Sequence, residues 1–242
     1  MLSIQGISTY YGKIPMLQQV TAEVNRGEVV CVLGANGVGK TTLLKTILGL
    51  VKPVAGAIHF NGVRIDGQPS HKIVQSGIAM VPQDGGMFPK MTVEENLRFG
   101  AYFQNDQVRI ARRMGELYER FPRLKERSRQ KAGTLSGGER CMLAIARGLL
   151  GEPQLLLMDE PSLGLSPLMV EEVFKTIEQI KSEGKLTILL VEQSATKALN
   201  VSDRGYIMQK GAVVMAGSRA ELLESPVVQQ SYLQAHKQAA KG

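Results

Sequence analysis

The sequence has few of the residues from which disulfide frameworks and metal clusters are built. Its 242 residues include no tryptophan, two cysteines and three histidines. Cys31 and Cys141 are isolated from each other and form neither a disulfide framework nor a metal-ligand spacing, which suits a reducing cytosol. The histidines, His59, His71 and His236, form no cluster in the sequence.

Long apolar stretches are also missing. The longest candidates, residues 155–158 and 186–191, fall far short of the roughly 20 residues that a membrane-spanning helix needs. The N-terminus has no basic segment followed by an apolar core, so we expect no secretory signal. With 43% hydrophobic residues, the chain is predicted to bury a substantial core in one domain.

The formal net charge of +7 indicates an anionic partner, but the basic residues are mostly spread along the chain. One dense stretch, residues 120–131, contains Arg120, Arg123, Lys125, Arg127, Arg129 and Lys131. It lacks regular aromatic interleaving and a nucleic-acid-binding module, so we expect no nucleic-acid partner. A solvated face and contact with anionic lipid or a partner subunit both stay open for this stretch.

Residues 34–42 match the phosphate-loop pattern G-x-x-x-x-G-K-[ST] without a mismatch. The apolar run 29–33 before them predicts a buried strand, and residues 41–50 predict a helix after them. Backbone N–H groups and the helix N-terminus would face phosphate oxygens, with Lys40 on the β- and γ-phosphates and the Thr41 hydroxyl on Mg²⁺. The predicted nucleoside triphosphate site comprises Gly34, Ala35, Asn36, Gly37, Val38, Gly39, Lys40, Thr41 and Thr42.

A second phosphate-facing helix start is predicted at residues 135–139, where Ser136 is a candidate N-cap. One nucleotide does not need two such helix starts from one chain. We therefore predict that each nucleotide lies between the phosphate loop of one subunit and this segment of another. The segment comprises Leu135, Ser136, Gly137, Gly138 and Glu139.

Two adjacent carboxylates follow the apolar strand predicted at residues 155–158. Asp159 is placed to complete a Mg²⁺ site, and Glu160 is placed to orient the water that attacks the γ-phosphate. The alternative is a solvated turn with two acids. The order of these motifs behind the phosphate loop argues against that alternative.

These segments resemble the motifs of the ATP-binding subunits of ABC transporters, and the resemblance covers essentially the whole chain. Walker A, signature, Walker B and D-loop fall at residues 34–42, 135–139, 155–160 and 162–165. The resemblance implies an α/β P-loop NTPase fold with a RecA-like parallel-sheet core, an N-terminal antiparallel β subdomain and an inserted α-helical subdomain. It also implies that Tyr11 stacks on adenine, with Tyr10 as the fallback, and that Gln83 of the Q-loop joins Thr41 and Asp159 at the metal.

A narrower resemblance is to the ATPases of importers for branched-chain amino acids, urea and short-chain amides. It rests on residues 87–97, 121–127, 161–167, 189–193 and 203–206. Gln193 stands where most ABC ATPases carry histidine, and the resemblance implies that its amide contacts the γ-phosphate or the attacking water. The alternative is that residues 192–194 only cap the next helix. The chain departs from the usual family residues at Arg140-Cys141, Asp84-Gly85-Gly86 and Ser194.

Hydrophobic periodicity predicts the layout of the chain. Alternating patterns predict an antiparallel sheet from residues 2–9, 16–24 and 57–60, and a closing hairpin from 205–208 and 212–215. Continuous apolar runs predict a parallel sheet buried on both faces. Capping boxes are predicted at Thr92 and Ser218, and a helix over 106–121. We expect one domain, 1–242, with its catalytic core at 1–83 and 152–242 and its helical subdomain at 84–151.

The predicted activity is ATP hydrolysis by direct attack of water, with ATP and Mg²⁺ as cofactors and with Lys40, Glu160 and Gln193 as catalytic residues. The resemblance implies a second ATPase subunit, either a different chain or an identical copy, two transmembrane subunits and an extracytoplasmic solute-binding protein. It places the chain peripherally on the cytoplasmic face of the membrane. The alternatives are lipid or lipopolysaccharide export and, in another class, a soluble ABC ATPase acting on ribosomes or DNA.

Overall fold

Ten strands form two sheets in the computed structural model, which describes residues 1–229. His236 therefore lies outside the described residues. The strands are β1 Leu2–Tyr11, β2 Ile14–Val24, β3 Val29–Leu33, β4 Ala55–Phe60, β5 Val63–Arg64, β6 Ile78–Val81, β7 Leu155–Asp159, β8 Thr187–Glu192, β9 Arg204–Gln209 and β10 Ala212–Ser218.

The α-helices of the described residues carry most of the connections between strands. They are α1 Lys40–Ile47, α2 Ser70–Gln75, α3 Val93–Arg98, α4 Gln107–Arg120, α5 Pro122–Glu126, α6 Gly137–Leu150, α7 Pro167–Ser182, α8 Ala195–Val201, α9 Arg219–Glu224 and α10 Pro226–Val228. Short 3₁₀ segments lie at Phe99–Ala101 and Ala132–Thr134. Within residues 1–229, no helix combines the length and the apolar character that crossing a membrane requires.

The central six-stranded sheet has the order β10-β9-β3-β8-β7-β6 and is parallel except at its edge strand β10. Every residue of β3, β7 and β8 is buried. Alternate residues of β3 enter two different cores, because Cys31 and Leu33 face one layer and Val30 and Val32 face the other. Burial on both faces explains the continuous apolar runs and confirms the predicted parallel sheet.

The second sheet is antiparallel, with the order β2-β1-β4-β5. Its register pairs Leu2 with both Val24 and Phe60, and the buried side chains of this face share a core with α1. The sheet was predicted from residues 2–9, 16–24 and 57–60; the observed strands extend these segments by a few residues, and the two-residue β5 was not predicted. The predicted closing hairpin is β9-β10, which completes the edge of the central sheet.

Residues 84–151 contain helices and 3₁₀ turns. Their apolar faces pack on the side of the central sheet that Cys31 and Leu33 face. Met142, Ile145, Ala146 and Leu149 are among the buried residues of α6. Because this helical segment and the sheet share one continuous core, the division into subdomains at 83/84 and 151/152 stays a prediction.

Helix boundaries follow the capping residues. The predicted capping boxes at Thr92 and Ser218 are both formed. The helix predicted over residues 41–50 ends at Ile47, because Gly49 adopts φ +70° and breaks the helical path. The short α2 was not predicted, and its six residues carry little periodicity to detect.

Candidate active site

The phosphate loop joins β3 to α1 and leaves the start of that helix without a cap. The N-cap residue is Gly39 at φ 107°, which has no side chain to accept from the first N–H groups. Those N–H groups belong to Lys40, Thr41 and Thr42, and the positive end of the helix dipole lies with them. A Cβ at Gly39 would lie 2.7 Å from the Met16 carbonyl oxygen, so glycine is required here.

Lys40 is buried and saturated by three acceptors. Its Nζ donates to the carbonyl oxygens of Gly34 at 2.7 Å and Ala35 at 3.0 Å, and it lies 2.9 Å from Glu160 Oε1. The Glu160 side chain is also buried, and its backbone adopts φ 44°, in the left-handed region. The loop thus holds a buried ammonium whose anionic partner is the carboxylate predicted to orient water.

Thr41 and Asp159 are brought together as predicted for a metal site. The Thr41 hydroxyl donates to Asp159 Oδ1 at 3.0 Å. Burial raises the pKa of Asp159, and the Thr41 hydrogen bond only partly opposes this. A hydroxyl and a buried carboxylate are hard oxygen donors, and a divalent cation would offset the cost of the buried charge. These two residues could therefore hold Mg²⁺.

Tyr11 lies at the rim of the phosphate loop, and its predicted stacking on adenine stays a prediction. It is 46% exposed and lines a cavity of about 230 Å³ that does not include Tyr10. Lys45, one turn into α1, lines the same cavity and was missed by sequence reasoning because it lies outside the motif. The lining is Tyr11, Met16, Gly37, Gly39, Lys40, Thr41, Thr42, Lys45 and Glu160.

The signature segment begins α6 with a complete capping box. Ser136 Oγ accepts from the Glu139 N–H at 3.3 Å, and Glu139 Oε2 accepts from the Ser136 N–H at 2.9 Å. Burial acts to raise the pKa of Glu139, but the Ser136 hydrogen bonds and the charge of Arg127 outweigh it and hold the pKa low. Arg127 Nε lies 2.9 Å from Glu139 Oε1, so the negative charge of Glu139 is balanced by an arginine of the same chain.

The phosphate loop and the signature line different cavities of one chain. Gly137 borders a cavity of about 160 Å³ that also includes Gln83, Cys141 and Leu163, and this cavity contains no phosphate-loop residue. Gln83 is exposed and forms no hydrogen bond to Thr41 or Asp159 among residues 1–229. The single chain thus brings Gln83 to the signature helix and leaves it apart from the predicted metal pair.

Gln193 follows β8 at the carboxyl edge of the central sheet and is exposed. Helix α8 begins two residues later with Ser194 as N-cap and no side-chain cap. Its neighbour Glu192 is buried and accepts hydrogen bonds from Ser162 and from the Gln193 N–H. Sequence reasoning missed this contact, since nothing in the motif pattern pairs residues 162 and 192.

The unusual loop after Gln83 is held by an arginine on the signature helix. Arg147 donates to the carbonyl oxygens of Gly85 and Gly86, both at 2.7 Å. Asp84 Oδ1 accepts from the Gly86 N–H at 3.0 Å, and both glycines have positive φ. Burial lowers the pKa of Arg147, against the charge of Asp84. The departure at residues 84–86 is therefore a defined turn.

A family model described as "ABC transporter" matches residues 17–163 of this chain. The chain belongs to the ABC transporter family. The predicted P-loop fold class is confirmed, and the ABC ATPase aligns over nearly its whole length with ATP-binding proteins of several transport systems.

Three curated relatives and one solved structure illustrate the similarity. The high-affinity branched-chain amino acid transport ATP-binding protein BraG of Pseudomonas aeruginosa is 48% identical over 96% of this chain and 99% of its own length. The probable branched-chain amino acid transport ATP-binding protein LivF of Archaeoglobus fulgidus is 40% identical, over 93% of this chain and 94% of its own. The lipopolysaccharide export system ATP-binding protein LptB of Haemophilus influenzae is 32% identical, over 96% of each. An ABC transporter cassette solved in its ADP conformation superimposes with a TM-score of 0.83 at 28% identity, covering 95% of this chain and 97% of its own.

Proposed function

We propose that this chain is the ATP-hydrolysing subunit of an importer for branched-chain or other amino acids. Urea and short-chain amides are the next candidate substrates. The observation that supports ATP hydrolysis is the cluster of four buried or half-buried groups at the phosphate loop. Within it, Lys40 pairs with Glu160 and Thr41 bonds to Asp159. Import is supported by the 48% identity to BraG, against 32% to LptB, and by glutamine at position 193.

In the proposed reaction, ATP binds along residues 34–42 and its γ-phosphate displaces Glu160 from Lys40. The freed Glu160 orients and deprotonates the attacking water, while Lys40 stabilises the charge that develops on the γ-phosphate. Thr41 and Asp159 would hold Mg²⁺, which when bound would neutralise phosphate charge. No covalent enzyme intermediate is needed, because phosphoryl transfer depends mainly on positioning and charge.

A second ATPase subunit completes each site in this proposal. The N–H groups of Gly137 and Gly138 and the Ser136 hydroxyl would contact the γ-phosphate of ATP held by the other subunit. Support comes from the separate cavities that the two segments line within one chain. Gln83 and Gln193, both exposed, would reach the nucleotide once the subunits and the helical segment close upon it.

The proposed contact with the two transmembrane subunits is an apolar groove of about 550 Å³ between the central sheet and the helical segment. Phe88, Phe99 and Phe103 line it, and each is more than a third exposed. A groove of this kind fits a short apolar helix from a membrane protein. Arg147 lines it as well, so a segment bound there would press on the loop that follows Gln83. A solute-binding protein would act on the outer side, and this chain would lie on the cytoplasmic face of the membrane.

Nucleic acid is not part of the proposal. Within the basic stretch, Arg120 pairs with Glu183, Arg123 with Glu126 and Arg127 with Glu139. These ion pairs engage three of the six cations that a phosphate backbone could contact.

The test is reconstitution in vesicles with the membrane subunits that co-purify with this chain. We expect ATP hydrolysis to rise when a solute-binding protein loaded with leucine is supplied on the outer face, and labelled leucine to accumulate inside. Lys40→Ala should abolish both signals. Stimulation by lipopolysaccharide but not by any loaded binding protein would instead support the export alternative.

A further inference from the structure

Glu192 is a buried acid that accepts hydrogen bonds from two loops of the active site. Its side chain is 2% exposed at the end of β8. Oε1 accepts from the Ser162 N–H at 3.2 Å and from the Ser162 hydroxyl at 2.7 Å, and Oε2 accepts from the Gln193 N–H at 3.2 Å. Both oxygens accept from N–H groups, which can only donate and so favour the carboxylate, whereas burial raises the pKa of Glu192. Within residues 1–229 no lysine or arginine forms a salt bridge with it.

The turn held by Glu192 begins at the residue proposed to orient water. Glu160 adopts φ 44°, a left-handed conformation that costs energy in a residue with a Cβ. Its N–H donates to the Val191 carbonyl oxygen at 2.9 Å, and its own carbonyl oxygen accepts from Leu163 at 3.0 Å. Such a conformation persists only where the surrounding contacts determine it. The residue two positions on, Ser162, is fixed by Glu192.

A second contact restrains the same turn from the signature helix. The Cys141 thiol donates to the Pro161 carbonyl oxygen at 3.2 Å. Burial, together with the nearby Glu192 charge, raises the pKa of Cys141 to about 12, so the thiol keeps its proton. The start of the D-loop is therefore hydrogen-bonded to β8 through Ser162 and to α6 through the Pro161 carbonyl oxygen.

We propose that Glu192 is a positioning residue, which fixes the turn at residues 160–165 relative to the Gln193 backbone. The inference rests on the proposed ATPase function and gives a role to a residue that the sequence suggested only as part of a possible helix cap. Glu192 does not reach the reacting atoms. It acts through Ser162 and Gln193, by keeping Glu160 oriented while the D-loop faces the second subunit.

The test compares Glu192→Gln, Ser162→Ala and the double variant with wild type, in the complex with partner subunits. A glutamine keeps the shape but presents an NH₂ group to at least one N–H donor, so the anchor is broken without a change in size. We expect kcat to fall about tenfold in Glu192→Gln, because a small misplacement of reacting groups is costly. KM for ATP and the Kd of the isolated chain should stay within about twofold.

The two single changes should not multiply, because both act on one connected hydrogen-bond network of Ser162, Glu192 and Gln193. The double variant is expected to be as slow as Glu192→Gln, and Ser162→Thr should keep most of the activity. Matched controls are Glu178→Gln and Ser182→Ala on the exposed side of α7, and both should behave as wild type.

Three outcomes would overturn the role of Glu192. They are an unchanged kcat in Glu192→Gln, a loss of ATP affinity as large as the loss of kcat, and effects that multiply in the double variant. If Glu192→Gln does not fold, Ser162→Ala and Ser162→Thr decide the matter alone. Wild-type turnover and its loss in Glu160→Gln test the ATPase function separately, so failure of one idea is distinguishable from failure of the other.

Discussion

The Nζ atom of Lys40 lies 2.9 Å from Oε1 of Glu160, and both side chains are buried. The residue proposed to bind the γ-phosphate is therefore paired with the residue proposed to orient water. A γ-phosphate on Lys40 would compete with the Glu160 carboxylate for the same ammonium. In the proposed mechanism, nucleotide binding is thus coupled to release of the base.

This relationship predicts two effects of Glu160→Gln. Turnover should fall by about 10²–10⁴, because the water-orienting base is lost. ATP should bind at least as tightly as to wild type, and up to about tenfold tighter, because an amide competes less well than a carboxylate for the buried ammonium. The measurements are steady-state turnover and ATP titration of the isolated chain.

Glu178→Gln is the matched control for this change, since Glu178 is exposed on α7 and should leave both quantities unaltered. The ATP-bound variant is also expected to accumulate as a dimer. Turnover near the wild-type rate in Glu160→Gln would remove this residue from the role of base.

Local patterns were sufficient to predict the parts of the fold that depend on neighbouring residues. The β3 strand and the phosphate loop follow from an apolar run and a glycine spacing, and the Ser136 cap follows from a serine three residues before a glutamate. The proximity of Thr41 to Asp159 was predictable as well, because both residues lie at the carboxyl edge of a parallel sheet.

Contacts between residues far apart in sequence were not predictable in the same way. Glu192 reaches Ser162 across 30 residues, and Arg147 reaches Gly85 across 62. Each depends on the packing of β8 or α6 against another element, and no periodicity or spacing encodes that packing. Gln83 lines a cavity with the signature helix, and its proposed approach to the nucleotide would require closure of the subunits, which no local pattern encodes.

The separate cavities of the phosphate loop and the signature predict that the site is completed by another subunit. Lys40→Ala should lose ATP affinity in the isolated chain, because the buried ammonium is removed. Ser136→Arg should bind ATP normally as a monomer and fail to dimerise. In mixed pairs the two defects should map to different sites, measured by turnover of pairs with one variant each. Equal loss of monomer affinity in both variants would refute the shared site.

The buried carboxylate of Asp159 predicts that Asp159→Asn stabilises the nucleotide-free chain. Burial raises the pKa of Asp159, so between its unfolded and folded pKa values the folded state holds more protons. Its contribution to stability is therefore lost as pH rises through that window and stays lost at neutral pH. Asparagine still accepts from Thr41 without the charge, so Tm at pH 7 without Mg²⁺ should rise by about 2 °C.

Two further measurements constrain the Asp159 prediction. The difference in Tm should shrink as the pH falls through the raised pKa of Asp159, where the wild-type carboxyl takes up a proton. Mg²⁺ with ATP should stabilise wild type more than Asp159→Asn, and hydrolysis should be lost in the variant. A lower Tm for Asp159→Asn at pH 7 without metal would contradict the argument.

The last prediction concerns the side chain of Gln193, which is exposed beyond β8 and leaves the start of α8 uncapped. A side chain that only capped the helix would be dispensable for chemistry. If instead its amide meets the γ-phosphate across a closed dimer, Gln193→Ala should lower kcat by about tenfold and leave the Kd for ATP nearly unchanged, because the bond strengthens as charge shifts in the transition state. Gln193→His should stay active and acquire a pH inflection near neutrality that the wild-type amide lacks. Turnover is measured with the partner subunits present. A wild-type kcat in Gln193→Ala would show that this side chain is dispensable for hydrolysis.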